Sequence, residues 1–130
     1  MHVAYAFDSE PEALLACIID RADVVECWVR NYPVRLEIDT PAGRYRPDFV
    51  VALRPETSPE SPSATEFLIL EAKDDFRWQE PLEEARLKNR AAREWAVIQQ
   101  QRGHPVKIAV ALESSIRSSG SWAELVPRLQ

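Results

Sequence analysis

Cysteine and histidine are scarce. The 130 residues contain only Cys17, Cys27, His2 and His104, and none of them falls in the paired C-x-x-C or C/H spacing that a zinc site requires. The sequence therefore predicts no structural zinc, with both cysteines as core thiols. Long apolar runs are missing too. The longest, Ala13 to Ile19, is far too short to cross a bilayer, which argues against a membrane partner. The first ten residues, MHVAYAFDSE, have neither a basic start nor an apolar stretch, so no secretory signal is expected and free thiols fit a cytoplasmic location. No G-x-x-x-x-G-K-[ST] phosphate loop and no internal repeat occurs.

What remains is ordinary for one folded domain spanning residues 1 to 130: 45% hydrophobic and 28% charged residues. A chain of this size buries roughly two-thirds of its unfolded surface and needs no disulfide to fold. The net charge of −5 argues against nucleic-acid binding by bulk electrostatics. Its distribution is less even. Arg86, Lys88, Arg90, Arg93, Arg102 and Lys107 stand against one acid, Glu94, so this segment carries +5 and the rest −10. A solvated helix face and a phosphate-tracking face, with Arg86, Lys88 and Arg90 as nucleic-acid contacts, both fit that pattern.

The expected core order is helix, three strands, long helix, strand, drawn from four stretches before the long helix that read as strand. Ser9-x-x-Glu12 is a capping box opening a helix to about Arg21, with Leu14, Leu15, Ile18 and Ile19 as its apolar stripe. Strands are predicted over Val24 to Val29, over Val34 to Asp39, where apolar and charged residues alternate, and over Tyr45 to Leu53, with Pro47 marking an edge or bulge. Arg54 to Thr65 holds three prolines and reads as a surface loop. Glu66 to Lys73 is the clearest strand, ended by Asp74 to Arg77. Glu80 to Gln101 favours helix, with Leu82, Ala85, Ala92, Trp95 and Ile98 as its packing stripe and Gly103 after it. Val106 to Leu112 is a buried strand, followed by a short terminal helix or turn. The expected fold class is α/β, an antiparallel meander with one crossover strand and the long helix on one face.

Charge interrupts the apolar pattern in two places. Glu71 and Lys73 share a strand face with Phe67 and Ile69, so that face begins as core and ends ionic. Asp48 shares a face with Val50 and Ala52, and a carboxylate at the border of apolar surface needs a cation. If these strands pair in register, Asp48 and Glu71 come close enough to share one Mg²⁺, with Mn²⁺ as a substitute and the Ala72 carbonyl as a further ligand. The ion would polarise a phosphate oxygen and acidify a water that Lys73 orients, giving phosphodiester hydrolysis. The plainer alternatives are Lys73 paired with Asp74 or Asp75, and Asp48 bonded to Arg46. Trp28, Trp95 and Trp122 read as core rather than as base-stacking platforms.

Pro47-Asp48 followed by Glu71-Ala72-Lys73 resembles the PD-(D/E)xK nuclease superfamily. Residues 9 to 112 are similar, more narrowly, to the C-terminal endonuclease region of type III restriction enzyme cleavage subunits. The likeness is carried by Ser9-x-x-Glu12, Val25-x-x-Trp28-Val29-x-Asn31, Tyr45-x-Pro47-Asp48-Phe49, Leu68-x-Leu70-Glu71-x-Lys73 and Lys88-x-x-x-Ala92-x-x-Trp95. The resemblance implies a restriction-endonuclease-like three-layer core with a mixed sheet of four to five strands flanked by helices. It also implies DNA as substrate, Glu12 as a supporting acid where it is not simply a helix cap, and Lys88 near the scissile phosphate where it is not simply solvated.

Two departures bear on function. Asp74-Asp75 follows the lysine where a glycine is usual in the restriction subunits, adding negative charge beside the expected phosphate path. No motor motif is present, so the expectation is a stand-alone endonuclease, working as a homodimer if it cuts both strands, or one whose helicase is supplied separately. The alternative is a catalytically silent module that keeps the fold to bind DNA or a partner protein.

Overall fold

Ser9 is extended and its hydroxyl accepts the Glu12 N–H at 3.3 Å, which starts helix α1 (Glu10–Asp20) with Pro11 in its first turn. The computed structural model describes residues 9–55, 57–58, 61–62 and 65–130. Leu15 and Ile19 on α1 are fully buried, each contributing roughly 1.5–3 kcal/mol by leaving water. Leu14 and Ile18 pack half-buried beside them, as the helical spacing predicts.

Four strands form the main sheet in the order β1 (Val25–Arg30), β4 (Phe49–Leu53), β7 (Glu66–Lys73), β8 (Val106–Leu112). Strand β1 runs antiparallel to β4, and β4 antiparallel to β7. Strand β8 lies parallel to β7 after the crossover through helix α3 (Glu83–Gln101). The fold is thus mixed α/β, a four-stranded sheet flanked by helices.

Alternation along the strands divides the core in two. Phe49, Val51, Leu68, Leu70, Ala109 and Ala111 face α1, helix α4 (Glu113–Ser118) and helix α5 (Trp122–Leu125). Ile69, Val106 and Ile108 face the other way, against Ala92 and Ala96 of α3. These two alanines, one turn apart, let the helix backbone approach the sheet closely. Among the described residues no helix is long and apolar enough to cross a membrane.

Several expectations need correction. Val34 to Asp39 is not a strand of the sheet. Asn31 takes the N–H groups of Arg35 and Leu36 on its Oδ1 at 3.0 and 2.9 Å and donates to the Leu36 carbonyl at 2.9 Å, so this backbone is bonded to a side chain instead of a ladder. The peptide bond between Tyr32 and Pro33 in the same stretch is cis. Only β2 (Ile38–Thr40) remains, paired with β3 (Gly43–Tyr45) in a separate hairpin. The expected strand from Tyr45 to Leu53 is divided at Pro47, which has no N–H to donate, so β3 and β4 belong to different sheets.

The long helix starts at Glu83, not Glu80, because Pro81 separates it from the unexpected short helix α2 (Asp75–Gln79). Leu82 is the N-cap and Ile98 lies outside the buried stripe; both are exposed. Helix α4 was also unexpected. Cys17 and Cys27 are free and exposed, not core thiols: Cys17 turns outward from the Leu15 and Ile19 face, and Cys27 lies on edge strand β1. Phe67 is 44% exposed, so the ionic face of β7 begins at the surface and is core only at Ile69. The loop expected over residues 54 to 65 falls partly outside the described residues; within it β5 (Thr57–Ser58) pairs with β6 (Ser61–Pro62). Trp122 is buried, and Trp28 and Trp95 pack half-buried against the two cores, as expected.

Candidate active site

Strand pairing sets the site. Phe49 pairs with Leu70 at the end of the ladder, and Asp48 and Glu71 are the residues that adjoin this last pair on the two chains. The Asp48 backbone bonds to both neighbours, donating to the Leu70 carbonyl at 3.0 Å and accepting from Asn31 N–H at 2.8 Å. Its side chain accepts the Ala72 N–H at 2.8 Å. Asp48 therefore latches onto β7 between the two charged residues of Glu71-Ala72-Lys73, and it is not bonded to Arg46, which instead pairs with Glu37 at 3.1 Å. Lys73 pairs with Glu71 at 3.1 Å, both half-buried, and not with the aspartates that follow it.

Those aspartates have local work. Asp74 caps α2 by accepting the Arg77 N–H at 2.7 Å, and Asp75 accepts the Ser114 hydroxyl and N–H at 2.8 and 3.2 Å in the first turn of α4. They tie the end of β7 to two helix N-termini.

Burial is the main reason the Asp48 carboxyl is pushed up to about 7. The Ala72 N–H and the Arg30 guanidinium work against that, and the charges of Glu12 and Glu71 add to it. Glu12 is thus brought to the site. It acts from α1 through charge and pairs with Arg30 at 3.7 Å, where both side chains are largely buried.

Beyond Glu71 and Lys73 opens a cleft of about 620 Å³, lined also by Gly43, Arg44, Tyr45, Arg46, Glu84, Ala85 and Lys88. One wall is the β2–β3 hairpin and the other is the first turns of α3. Lys88 reaches it, paired with Glu84 at 2.7 Å. Arg86 and Arg90 do not. Two residues along from Glu84 and Lys88, they lie about 200° round the helix and pair on its far side with Glu83 and Glu94. The basic segment from Arg86 to Lys107 is accordingly not one face: Arg93 bonds the Gln130 carbonyl, and Lys107 lies at the opposite end of the sheet.

A model of the endonuclease domain family matches residues 1–113. The chain belongs to that endonuclease domain family. No curated protein and no solved structure matches it. The four-stranded mixed sheet with helices on both faces is consistent with a restriction-endonuclease-like core.

The donor set of this endonuclease domain suits a divalent cation. Two carboxylates come from neighbouring stretches of chain, and the charge of Glu71 adds to the cost of ionising the buried Asp48, which a bound cation would relieve. Among the described residues no three or more His, Cys, Asp or Glu side chains converge as a metal cluster, so a Mg²⁺ ion here would rely on Asp48, Glu71 and oxygen from backbone and water. The Tyr45 hydroxyl points the same way. It is buried at 4% exposure and has no hydrogen-bond partner among the described residues, although Glu71 is near enough to act on it. Burial first, then the charges of Glu71 and Asp48, push its pKa far up and keep it a protonated donor.

Sequence reasoning missed Tyr45, Arg30, Arg44, Arg46 and the structural part played by Asn31. Tyr45 and Asn31 stand inside the stretches that carry the family resemblance. Arg30 carried a weaker signal, a charge closing an apolar strand. The hairpin arginines carried none, because they reach the cleft only through the separation of β3 from β4.

Proposed function

We propose that this endonuclease domain hydrolyses phosphodiester bonds in DNA with Mg²⁺, or Mn²⁺ in its place, and is related to the nuclease region of type III restriction cleavage subunits. One observation carries the reading: the Ala72 N–H locks the Asp48 carboxylate onto Glu71-Ala72-Lys73, with Lys73 on Glu71 at the mouth of a cleft that also holds Lys88. Asp48, Glu71 and the Ala72 carbonyl would hold the ion, which would supply Lewis-acid polarisation of a phosphate oxygen and a more acidic water.

The chain's own groups do the rest. The Ala72 N–H fixes the Asp48 carboxylate, and Glu71 fixes the Lys73 ammonium, which orients the attacking water for in-line displacement. Lys88, from the opposite wall, places positive charge where a phosphate enters. Glu12 with Arg30 supports Asp48 from α1. Nothing in Asp74-Asp75 favours a silent module, because these carboxylates accept from Arg77 and Ser114 and do not line the cleft.

The test is plasmid nicking with Mg²⁺ or Mn²⁺ by the wild type and by Asp48→Ala, Glu71→Ala and Lys73→Ala, each checked for folding by circular dichroism. The expected outcome is cleavage by the wild type and none by the variants. Wild-type-level cleavage by all three variants would sink the assignment.

A further inference from the structure

Glu37 sits between two arginines. Its Oε2 meets Arg44 Nη1 and its Oε1 meets Arg46 Nε, both at 3.1 Å, so one carboxylate bridges two guanidiniums that stand two residues apart. Arg44 also approaches Asp39 at 3.6 Å. A phosphodiester offers the same pattern, a single negative charge shared by two equivalent oxygens, and guanidinium binds either group through charge-assisted hydrogen bonds. Two residues of extended chain span about 6.6 Å, comparable to the step between neighbouring phosphates of one strand.

Across the cleft Lys88 is held by Glu84 at 2.7 Å. The hairpin turn closes directly upon it: Gly43 has φ +123°, and a side chain added there would come within 2.8 Å of Lys88 Cε. The hairpin arginines and the α3 lysine thus form two sides of one slot that ends at Glu71 and Lys73. Every cation in it is already occupied by an acid of the same chain.

Resting on the nuclease reading above, we propose that the β2–β3 hairpin is a backbone clamp for one DNA strand. Arg44 and Arg46 take phosphates beside the scissile one, and Glu37 and Glu84 are internal stand-ins that the DNA displaces. The exchange is cheap. Arg44 and Arg46 are 62% and 55% exposed, and ion pairs at such solvated positions contribute little to the stability of a fold. Removing a stand-in acid should therefore tighten DNA binding without unfolding the protein.

The experiment measures binding of a labelled DNA oligonucleotide by fluorescence anisotropy in EDTA over a series of salt concentrations, so that no cleavage intervenes. Arg44→Gln and Arg46→Gln should each weaken binding roughly three- to tenfold and each reduce the salt slope by about one. Glu37→Gln should tighten binding roughly threefold or more. Glu94→Gln is the control, since it frees Arg90 on the far side of α3 with the same change in net charge. Equal tightening by Glu94→Gln and Glu37→Gln, or unchanged binding by both arginine variants, overturns the clamp. If the wild type still nicks plasmid in that case, the nuclease reading stands without it. A wild type that neither binds nor cleaves overturns both.

Discussion

Replacing Asp48 by asparagine keeps an oxygen that can accept the Ala72 N–H and removes the charge. In the folded, metal-free protein the Asp48 carboxyl takes its proton at about 7, against 3.8 in the unfolded chain. Between those values the folded state holds a proton that the unfolded state has lost. The resulting stabilisation is fully present below about pH 4, declines as pH rises, and is gone above about pH 7. Three pKa units at about 1.4 kcal/mol each make this about 4 kcal/mol. An asparagine side chain does not titrate, so the variant lacks this contribution at every pH, while the other carboxylates remain in both proteins and largely cancel. Urea denaturation in EDTA across about pH 4 to pH 8 should show the wild type losing about 4 kcal/mol relative to Asp48→Asn. A difference that stays flat to within about 1 kcal/mol would refute the argument, because it would mean that the carboxylate ionises in the fold without cost and needs no cation.

Tyr45→Phe tests the unpartnered hydroxyl: in EDTA the variant should be as stable as the wild type or up to about 1 kcal/mol more stable, and a loss larger than that by urea titration would show that the hydroxyl has a bonding partner in the metal-free protein. Asn31→Ala strips partners from the N–H groups of Arg35 and Leu36 and from the Pro47 carbonyl. It should cost roughly 2–4 kcal/mol in the same assay, and a cost under about 1 kcal/mol would contradict the view that Asn31 holds this loop.

The sheet was legible because its signals are local and redundant. Glu66 to Lys73 is apolar over four of its first five residues, and the alternation of Leu68 and Leu70 against Ile69 and Glu71 gave the faces that the core clusters later occupy. The approach of Asp48 to Glu71-Ala72-Lys73 followed from the pairing of the two strands. Less legible was whatever depends on one side chain acting at a distance. Asn31 bonds backbone four and five residues on, and through the Pro47 carbonyl it reaches sixteen, so it cancels an alternating pattern that by itself reads as a strand. Asp74 and Asp75 were read as charge beside the phosphate path, yet they are helix-terminal acceptors, one of them for a residue 39 positions away. Helix periodicity likewise placed the stripe of α3 too widely, because Ala92 and Ala96 carry the contact while the larger Leu82 and Ile98 do not.

The net charge of −5 misleads in the same way, since it sums charges that do not act together. At physiological salt an exposed charge is screened beyond about 8 Å, so what a phosphate meets is the lining of the cleft. That lining holds Arg44, Arg46, Lys73 and Lys88 against Glu71 and Glu84, with Glu37 behind the arginines. Asp48 and Glu71 are the groups that repel a phosphate most directly, and they are also the groups whose charge a divalent cation would neutralise. An acidic chain can therefore present a cationic slot, and compensation of its central carboxylates would make that slot more cationic still, so that ion and DNA binding support each other. The basic segment on α3, which in the sequence fits a solvated helix face as well as a phosphate-tracking one, contributes only Lys88 to that slot.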